Sequence, residues 1–174
     1  QDVRLDKDGI VFHLGFFEKE NFTPGENVTL LIDKERRIKN AKSHSAGHLI
    51  DCAITKLNLA IKPTKGYHFS DGPYVEYEGK LENSQELAQK IQDTVNDLIN
   101  QDITIIKTNL SSEQAGKMGI FVPVGKNARI IGFDGFASYG CGGTHVNATK
   151  EIGKIIIRKI KVKNGTSKIC YEIV

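Results

Sequence analysis

Apolar positions recur along most of the chain with helix or strand spacing, and these periods assign the elements in turn. Gly9-Ile10-Val11-Phe12-His13-Leu14 and Val28-Thr29-Leu30-Leu31-Ile32-Asp33 read as short strands, separated by a break at Gly15 and a turn at Thr23-Pro24-Gly25-Glu26. That is too little apolar sequence to bury a core of its own. Leu49, Ile50, Ala53, Ile54 and Leu57 then form a stripe of helical period, and at about 100° per residue His44 and His48 fall roughly opposite to it. Ser43 or Asn40 is placed to cap this helix. Ahead of it, the basic junction Lys34-Glu35-Arg36-Arg37-Ile38-Lys39 reads as a solvated helix entry or linker, or as a contact to phosphate.

Lys56 to Lys65, with Pro63 inside it, reads as a polar loop, followed by a strand at Gly66–Ser70, a turn at Asp71-Gly72 and a strand at Pro73–Glu78. Ser84 opens a second helix with Leu87, Ile91, Val95, Leu98 and Ile99 as its core stripe. Ile103 to Ile106 reads as a buried strand, Ser111 to Ala115 as a short capped helix and Asn127 to Phe133 as a strand; Gly135 to Gly140 then leads to Cys141. A hairpin closes the chain, with Ile152–Val162 and Ser167–Val174 joined by an Asn164-Gly165 turn. This order predicts an α+β fold, a largely antiparallel sheet with the long helices packed on one side. No internal repeat or low-complexity segment interrupts it.

Composition changes the picture little. A chain of 174 residues suits one well-cored domain, or one plus a small appendage. Its longest apolar runs, such as Ile155-Ile156-Ile157, are far too short to cross a bilayer, so no membrane partner is expected. A net charge of +3 allows a nucleic-acid partner without calling for one. The first residues carry no basic-then-apolar signal pattern. Three cysteines in dissimilar contexts make no disulfide framework, which fits a reducing cytoplasm. The chain lacks a glycine-rich phosphate loop, so no nucleotide cofactor is expected, and it reads as a monomer.

Candidate chemistry sits in two short motifs. His44 and His48 lie one helical turn apart on one face, the spacing at which two imidazoles grip one ion, and Cys141 and His145 complete a set of four. Three imidazoles and a thiolate suit zinc better than magnesium or calcium, which seek oxygen, so one Zn²⁺ per chain is the expected cofactor. Position 45 is serine where a zinc protease needs a glutamate base, and no protease mechanism follows. Cys52, a turn beyond His48, and Cys170, inside the last strand, read as packing residues.

His-Ser-Ala-Gly-His-Leu-Ile, then Gly66-Tyr67-His68-Phe69 with Asp71-Gly72-Pro73, then Cys-Gly-Gly-Thr-His-Val followed by Glu151-Ile152-Gly153, resemble the editing domain of alanyl-tRNA synthetase. The resemblance is nearest to its freestanding AlaX-type relatives and extends more distantly to the editing domain of threonyl-tRNA synthetase. It covers about residues 36–174, which are expected to form the zinc-dependent editing domain. Residues 1–35 are expected to be a partial N-terminal β segment, the remnant of the small barrel that precedes this module in larger members. The glycine-rich segment of that barrel is missing. Either the chain is a fragment, which Gln1 in place of methionine favours, or the protein has lost part of the barrel.

The resemblance implies hydrolysis of a wrong amino acid from mischarged tRNA(Ala), with serine or glycine as that amino acid. His44, His48 and His68 are the candidate catalytic residues, His68 because the hairpin carrying it lines the substrate pocket in the family. Ser45, Ser70 and Thr144, with His68, are polar candidates for holding a serine hydroxyl. Lys34, Arg36 and Arg37 are candidates for tRNA phosphate. Four protein ligands would close a zinc site, so either one is loose, His145 most readily, or the ion positions the substrate amino group while another residue handles water. A threonyl-type editor acting on seryl-tRNA(Thr), and a zinc-stabilised module that only binds tRNA, stay open.

Overall fold

The computed structural model describes residues 2–6, 9–19, 22–120, 122 and 127–174. Chain contacts divide it into two compact units, Gln1–Ile32 and Asp33–Val174. In the first, β1 (Asp2–Leu5) and β2 (Val11–Leu14) pair antiparallel, with Asp2 opposite Leu14 and Leu5 opposite Val11. The expected turn closes where Glu26 N–H donates to the Thr23 carbonyl at 3.1 Å and Gly25 takes φ 95°. The strand expected at Val28–Asp33 does not form. Val28, Leu30, Leu31 and Ile32 are exposed, and without a neighbour to share the ladder an apolar run gains nothing from extension.

The second unit opens with α1 (Lys34–Lys56), ten residues upstream of the first histidine of the metal motif. Asp33 is its cap, its carboxylate accepting the Arg36 N–H at 3.0 Å. The cap therefore lies upstream of both Asn40 and Ser43, and Lys34 to Lys39 is helix rather than linker. α1 is also more buried than one stripe requires: Ala41, Ser43, Ser45, Ala46 and Gly47 are enclosed along with Leu49, Ile50, Ala53 and Ile54. The histidines are thus set into a helix packed on most of its sides.

After α1 come β3 (Lys62–Tyr67), β4 (Tyr74–Glu78), α2 (Ser84–Asn100), β5 (Ile105–Ser111), α3 (Ser112–Lys117), β6 (Asn127–Phe133), β7 (Ser138–Gly140), a 3-10 turn at Thr149–Ile152, β8 (Ile155–Lys163) and β9 (Thr166–Ile173). The fold is α+β, but its strands make two sheets: a four-stranded one in the order β3-β4-β9-β8 and a three-stranded one in the order β5-β6-β7, with every pairing between these strands antiparallel. Both long helices pack on the four-stranded sheet, α1 against β4 and β9 and α2 against β8.

Two boundaries moved for physical reasons. Pro63, Lys62 and Lys65 disguised β3 as a loop, yet β3 is an edge strand, where a missing N–H and charged side chains are tolerated. The strand expected at Ile103–Ile106 starts at Ile105 and runs on to Ser111 with Ile106 exposed, because only one face of this sheet is buried. By contrast α3 carries the expected capping box, Ser111 and Gln114 bonding reciprocally. Asn164 and Gly165 take φ 50° and 79°, the left-handed pair that a two-residue hairpin needs.

The main core joins Leu49, Ile50 and Ile54 of α1 to Ile91, Val95 and Leu98 of α2 and to Tyr77, Ile155, Ile169 and Tyr171 of the sheet. At the open edge of β8, side chains of α2 stand in for a strand. Asn96 donates to the Ile155 carbonyl and accepts the Ile155 N–H, and Gln92 accepts the Ile157 N–H at 3.0 Å.

Candidate metal centre

Four donor residues meet between α1 and the loop after β7. The ligand atoms of His44, His48, Cys141 and His145 all lie within 4.8 Å of one another. Cys141 Sγ stands 3.4 Å from His44 Nε2 and 3.5 Å from His145 Nε2. Bonds of about 2.3 Å to sulfur and about 2.0 Å to nitrogen at a tetrahedral angle would set S and N about 3.5 Å apart, so this spacing fits one zinc-sized ion. His48 supplies a second test of fit. Among the described residues neither of its buried ring nitrogens has a hydrogen-bond partner, and the Asp51 carboxylate oxygen Oδ2 is 3.8 Å from Nδ1, beyond bonding range. A buried imidazole with nothing to bond is accounted for by an ion held among these donors.

Several neighbours set the ring positions. Ser45, fully buried, has its hydroxyl 3.3 Å from His145 Nδ1 and accepts the Val146 N–H at 3.2 Å. With Nδ1 as donor to that oxygen, His145 Nε2 is left as a lone pair facing Cys141. Arg129 Nη1 donates to the carbonyls of Cys141 and Gly143, and Lys107 Nζ donates to the His145 carbonyl at 3.1 Å and to Asn147 Oδ1 at 2.7 Å. In the β5-β6 register these two cations share one face, and from there they brace the Cys-x-x-x-His loop. A Cβ on Gly143 would collide with the His44 ring, so only glycine lets the loop come this close.

His68 follows directly after β3 and lays its ring parallel to that of His44, with centroids 4.6 Å apart and 17° between planes. Its Nδ1 is 2.8 Å from the Tyr171 hydroxyl, which donates its one proton to the Ser43 carbonyl at 2.8 Å. The Tyr171 oxygen must then accept from His68 Nδ1–H, which leaves His68 Nε2 as a free acceptor. Cβ atoms on Gly47 and Gly66 would both run into the His68 ring, so it is held from both sides.

Burial keeps these rings neutral. It pushes His48 down to about 4, helped by His44, and it pushes His68 and His145 to about 3, helped by the charges of His44 and His48. His44 is lowered by burial and then by Arg129. Asp51 is raised by burial to about 6, against the bond it accepts from the Tyr77 hydroxyl at 2.6 Å.

The structure thus brings His44, His48, Cys141 and His145 together, with His68 against them and Ser45 behind His145. Thr144 and Ser70 are exposed near the margin. Lys34, Arg36 and Arg37 are exposed on the first turns of α1; at about 1.5 Å per residue Lys34 is about 15 Å along the helix from His44. Cys52 and Cys170 are buried, and neither belongs to the donor group. Sequence reading missed Arg129, Lys107 and Tyr171, whose bonds to backbone carbonyls carry no signature in residue type. Replacing Ser45 by alanine is expected to weaken metal binding about 10- to 100-fold with the fold retained. Zinc competition against a chelator, read beside circular dichroism, checks this, and unchanged affinity would remove Ser45 from the site.

Residues 128–168 match the family described as threonyl and alanyl tRNA synthetase second additional domain. The chain is 30% identical over 170 residues to alanine--tRNA ligase 1 of Lachnoclostridium phytofermentans, covering 95% of this chain and 19% of that one. It is 30% identical over 153 residues to an alanine--tRNA ligase of Streptococcus agalactiae (83% and 17%) and 26% identical over 175 residues to that of Pseudothermotoga lettingae (97% and 20%). The chain therefore spans about a fifth of the length of the curated relatives it matches. Over residues 128–168 it is thus similar to the threonyl and alanyl tRNA synthetase second additional domain. Together the matches support an AlaX-like domain of the alanyl-tRNA editing type. No described helix is long and apolar enough to cross a membrane.

Proposed function

We propose that this chain is a zinc-dependent deacylase that hydrolyses the ester of seryl-tRNA(Ala), and of glycyl-tRNA(Ala), while sparing alanyl-tRNA(Ala). The observation that carries this reading is the four-donor cluster, with the buried His48 ring unpartnered among the described residues, in a chain of alanyl type. His44, His48, Cys141 and His145 would hold the ion. Zinc bound there supplies Lewis-acid help, polarising the ester carbonyl or acidifying a water.

The rest follows from the chain's own residues. The ester is already activated, so placement of water and favourable electrostatics suffice. His68, kept neutral by burial and oriented by Tyr171, offers Nε2 as an acceptor beside the cluster. The positive charges of Arg129 and Lys107 behind the loop favour an anionic tetrahedral intermediate. A synthetase pocket built for alanine cannot reject the smaller glycine, nor strongly exclude serine, so a second site must reward the hydroxyl with a hydrogen bond. His68 Nε2 is the acceptor that fits this task.

Lys34, Arg36 and Arg37 would meet tRNA phosphates. They crowd the N-terminal end of α1, where the helix dipole disfavours cations by about 0.3–1 kcal/mol each, and bound phosphate would offset that cost. The test is the release of serine, glycine and alanine from their tRNA(Ala) esters by the purified chain, with seryl-tRNA(Thr) as a fourth substrate. Serine release well above the uncatalysed rate, with alanine retained, is expected. Equal release of serine and alanine removes the specificity. Preference for seryl-tRNA(Thr) makes this a threonyl-type editor, and no release at all leaves a tRNA-binding module.

A further inference from the structure

We infer that the groove between the N-terminal half of α1 and the turn after β3 binds single-stranded RNA, the unpaired 3′ end that carries the aminoacyl ester, with Phe69 as the stacking platform. This rests on the deacylase reading for the identity of the RNA, and on the groove itself for the chemistry.

The groove encloses about 450 Å³ and is lined by Arg36, Lys39 and Asn40 from α1 and by Tyr67, Phe69 and Asp71 from the turn. Phe69 is 52% exposed, a large apolar ring left in water where burial would be favourable. It is not loosely placed. Its ring meets Tyr67 edge-on at 5.2 Å, Tyr67 stacks on Tyr74 at 5.8 Å with 16° between planes, and Lys168 Nζ sits 3.2 Å from the Tyr74 centroid. The Tyr67 hydroxyl donates to the Asp71 carboxylate at 2.9 Å. A braced aromatic surface flanked by cations is the combination that holds single strands, since every base has a face to stack and every linkage a charge to neutralise.

Side-chain alternation ties the groove to the metal centre. Tyr67 and Phe69 turn toward the groove, while His68 between them turns the other way onto His44. A base on Phe69 is therefore one residue away from the ring that covers the cluster. An adjoining cavity of about 220 Å³ shares Lys39 and Ser70 with the groove and adds Lys42 and Ser43. Ser43 itself is only 3% exposed, so Lys39 and Lys42 are the groups this cavity presents to a phosphate linkage. Charge agrees in sign: Arg36, Lys39 and Lys42 face these two cavities against the carboxylates of Asp71 and Glu172.

The test uses a short single-stranded oligoribonucleotide carrying 2-aminopurine, titrated with the purified chain and followed by fluorescence. Binding is expected to quench the probe. Phe69→Ala should weaken it about 5- to 150-fold, the loss of one stacked base, and Phe69→Tyr should restore it. Lys163→Ala, on the remote hairpin, serves as the control for diffuse charge and should bind like the unaltered chain. In deacylation, Phe69→Ala should raise KM by more than it lowers kcat. Absence of binding by the unaltered chain, or equal affinity in Phe69→Ala, overturns the inference. If the chain deacylates but Phe69→Ala changes neither affinity nor KM, the groove assignment falls and the deacylase reading stands. If Phe69-dependent binding occurs without deacylation, the groove assignment stands and the deacylase reading falls.

Discussion

Replacing His48 by alanine is expected to empty the metal centre and stop ester hydrolysis while leaving the domain folded. Both nitrogens of this ring are buried with no partner among the described residues, so its place in α1 makes sense as a ligand position and poorly as a packing one. Loss of one donor from four lowers affinity steeply, and zinc content should drop from about one per chain to a small fraction of that. An ion that polarises a carbonyl contributes several kcal/mol to the barrier, so serine release should fall at least about a hundredfold. Cys52→Ala is the matched control. Cys52 lies four residues further along the same helix but is buried outside the donor group, and its removal should leave zinc and turnover intact. Metal analysis, deacylation and far-ultraviolet circular dichroism on both variants decide the matter. A His48→Ala protein that keeps its zinc would refute the assignment.

The second large effect concerns acid. In the metal-free chain, His48 titrates near 4 and His68 and His145 near 3 because burial disfavours their charged forms, whereas in the unfolded chain each would titrate near its ordinary value of about 6.5. Folded pKa values below unfolded ones mean that the unfolded chain takes up more protons, so stability is complete above about pH 6.5 and is lost progressively as the pH falls toward 4 and then 3. Asp51 works the other way: raised to about 6, it takes up a proton in the folded state and adds some stability between about pH 6 and 4. Three depressed imidazoles outweigh one raised carboxylate, and the net slope is downward. Urea midpoints of the metal-free chain at half-unit steps from pH 7.5 to 4.5 should fall throughout. The zinc-loaded chain should fall more steeply, since the ion binds Cys141 as the thiolate and protons compete with it for that sulfur. A flat or rising series would contradict the burial of these rings.

The metal motifs were legible because each pair is local in sequence: His44 with His48 needs only a helix, and Cys141 with His145 only a tight loop. What brings the pairs together was not legible from spacing. Glycines 47, 66 and 143 make room for histidine rings contributed from elsewhere in the chain, a requirement that shows only when the surfaces are assembled. Tyr171 reads as a core aromatic near the C-terminus, yet it orients His68 from 103 positions away. Strong alternation fixed β6 and the closing hairpin to within three residues, while Val28–Ile32, equally apolar, stayed irregular. The start of α1 was misplaced because its first turns, rich in lysine and arginine, favour a helix without displaying a stripe.

The amide side chains along β8 bear on the solubility of the whole fold. A four-stranded sheet has two open edges, and each is a template onto which another chain can add a strand. At β3 Lys62, Lys65 and Pro63 discourage such growth, whereas within β8 the charges begin only at Arg158, after Ile155 and Ile157. Asn96 and Gln92 occupy those backbone groups from within the molecule. They act as a plug against fibrillar self-assembly, and a variant carrying leucine at both positions would keep an apolar helix face yet leave an adhesive edge behind it.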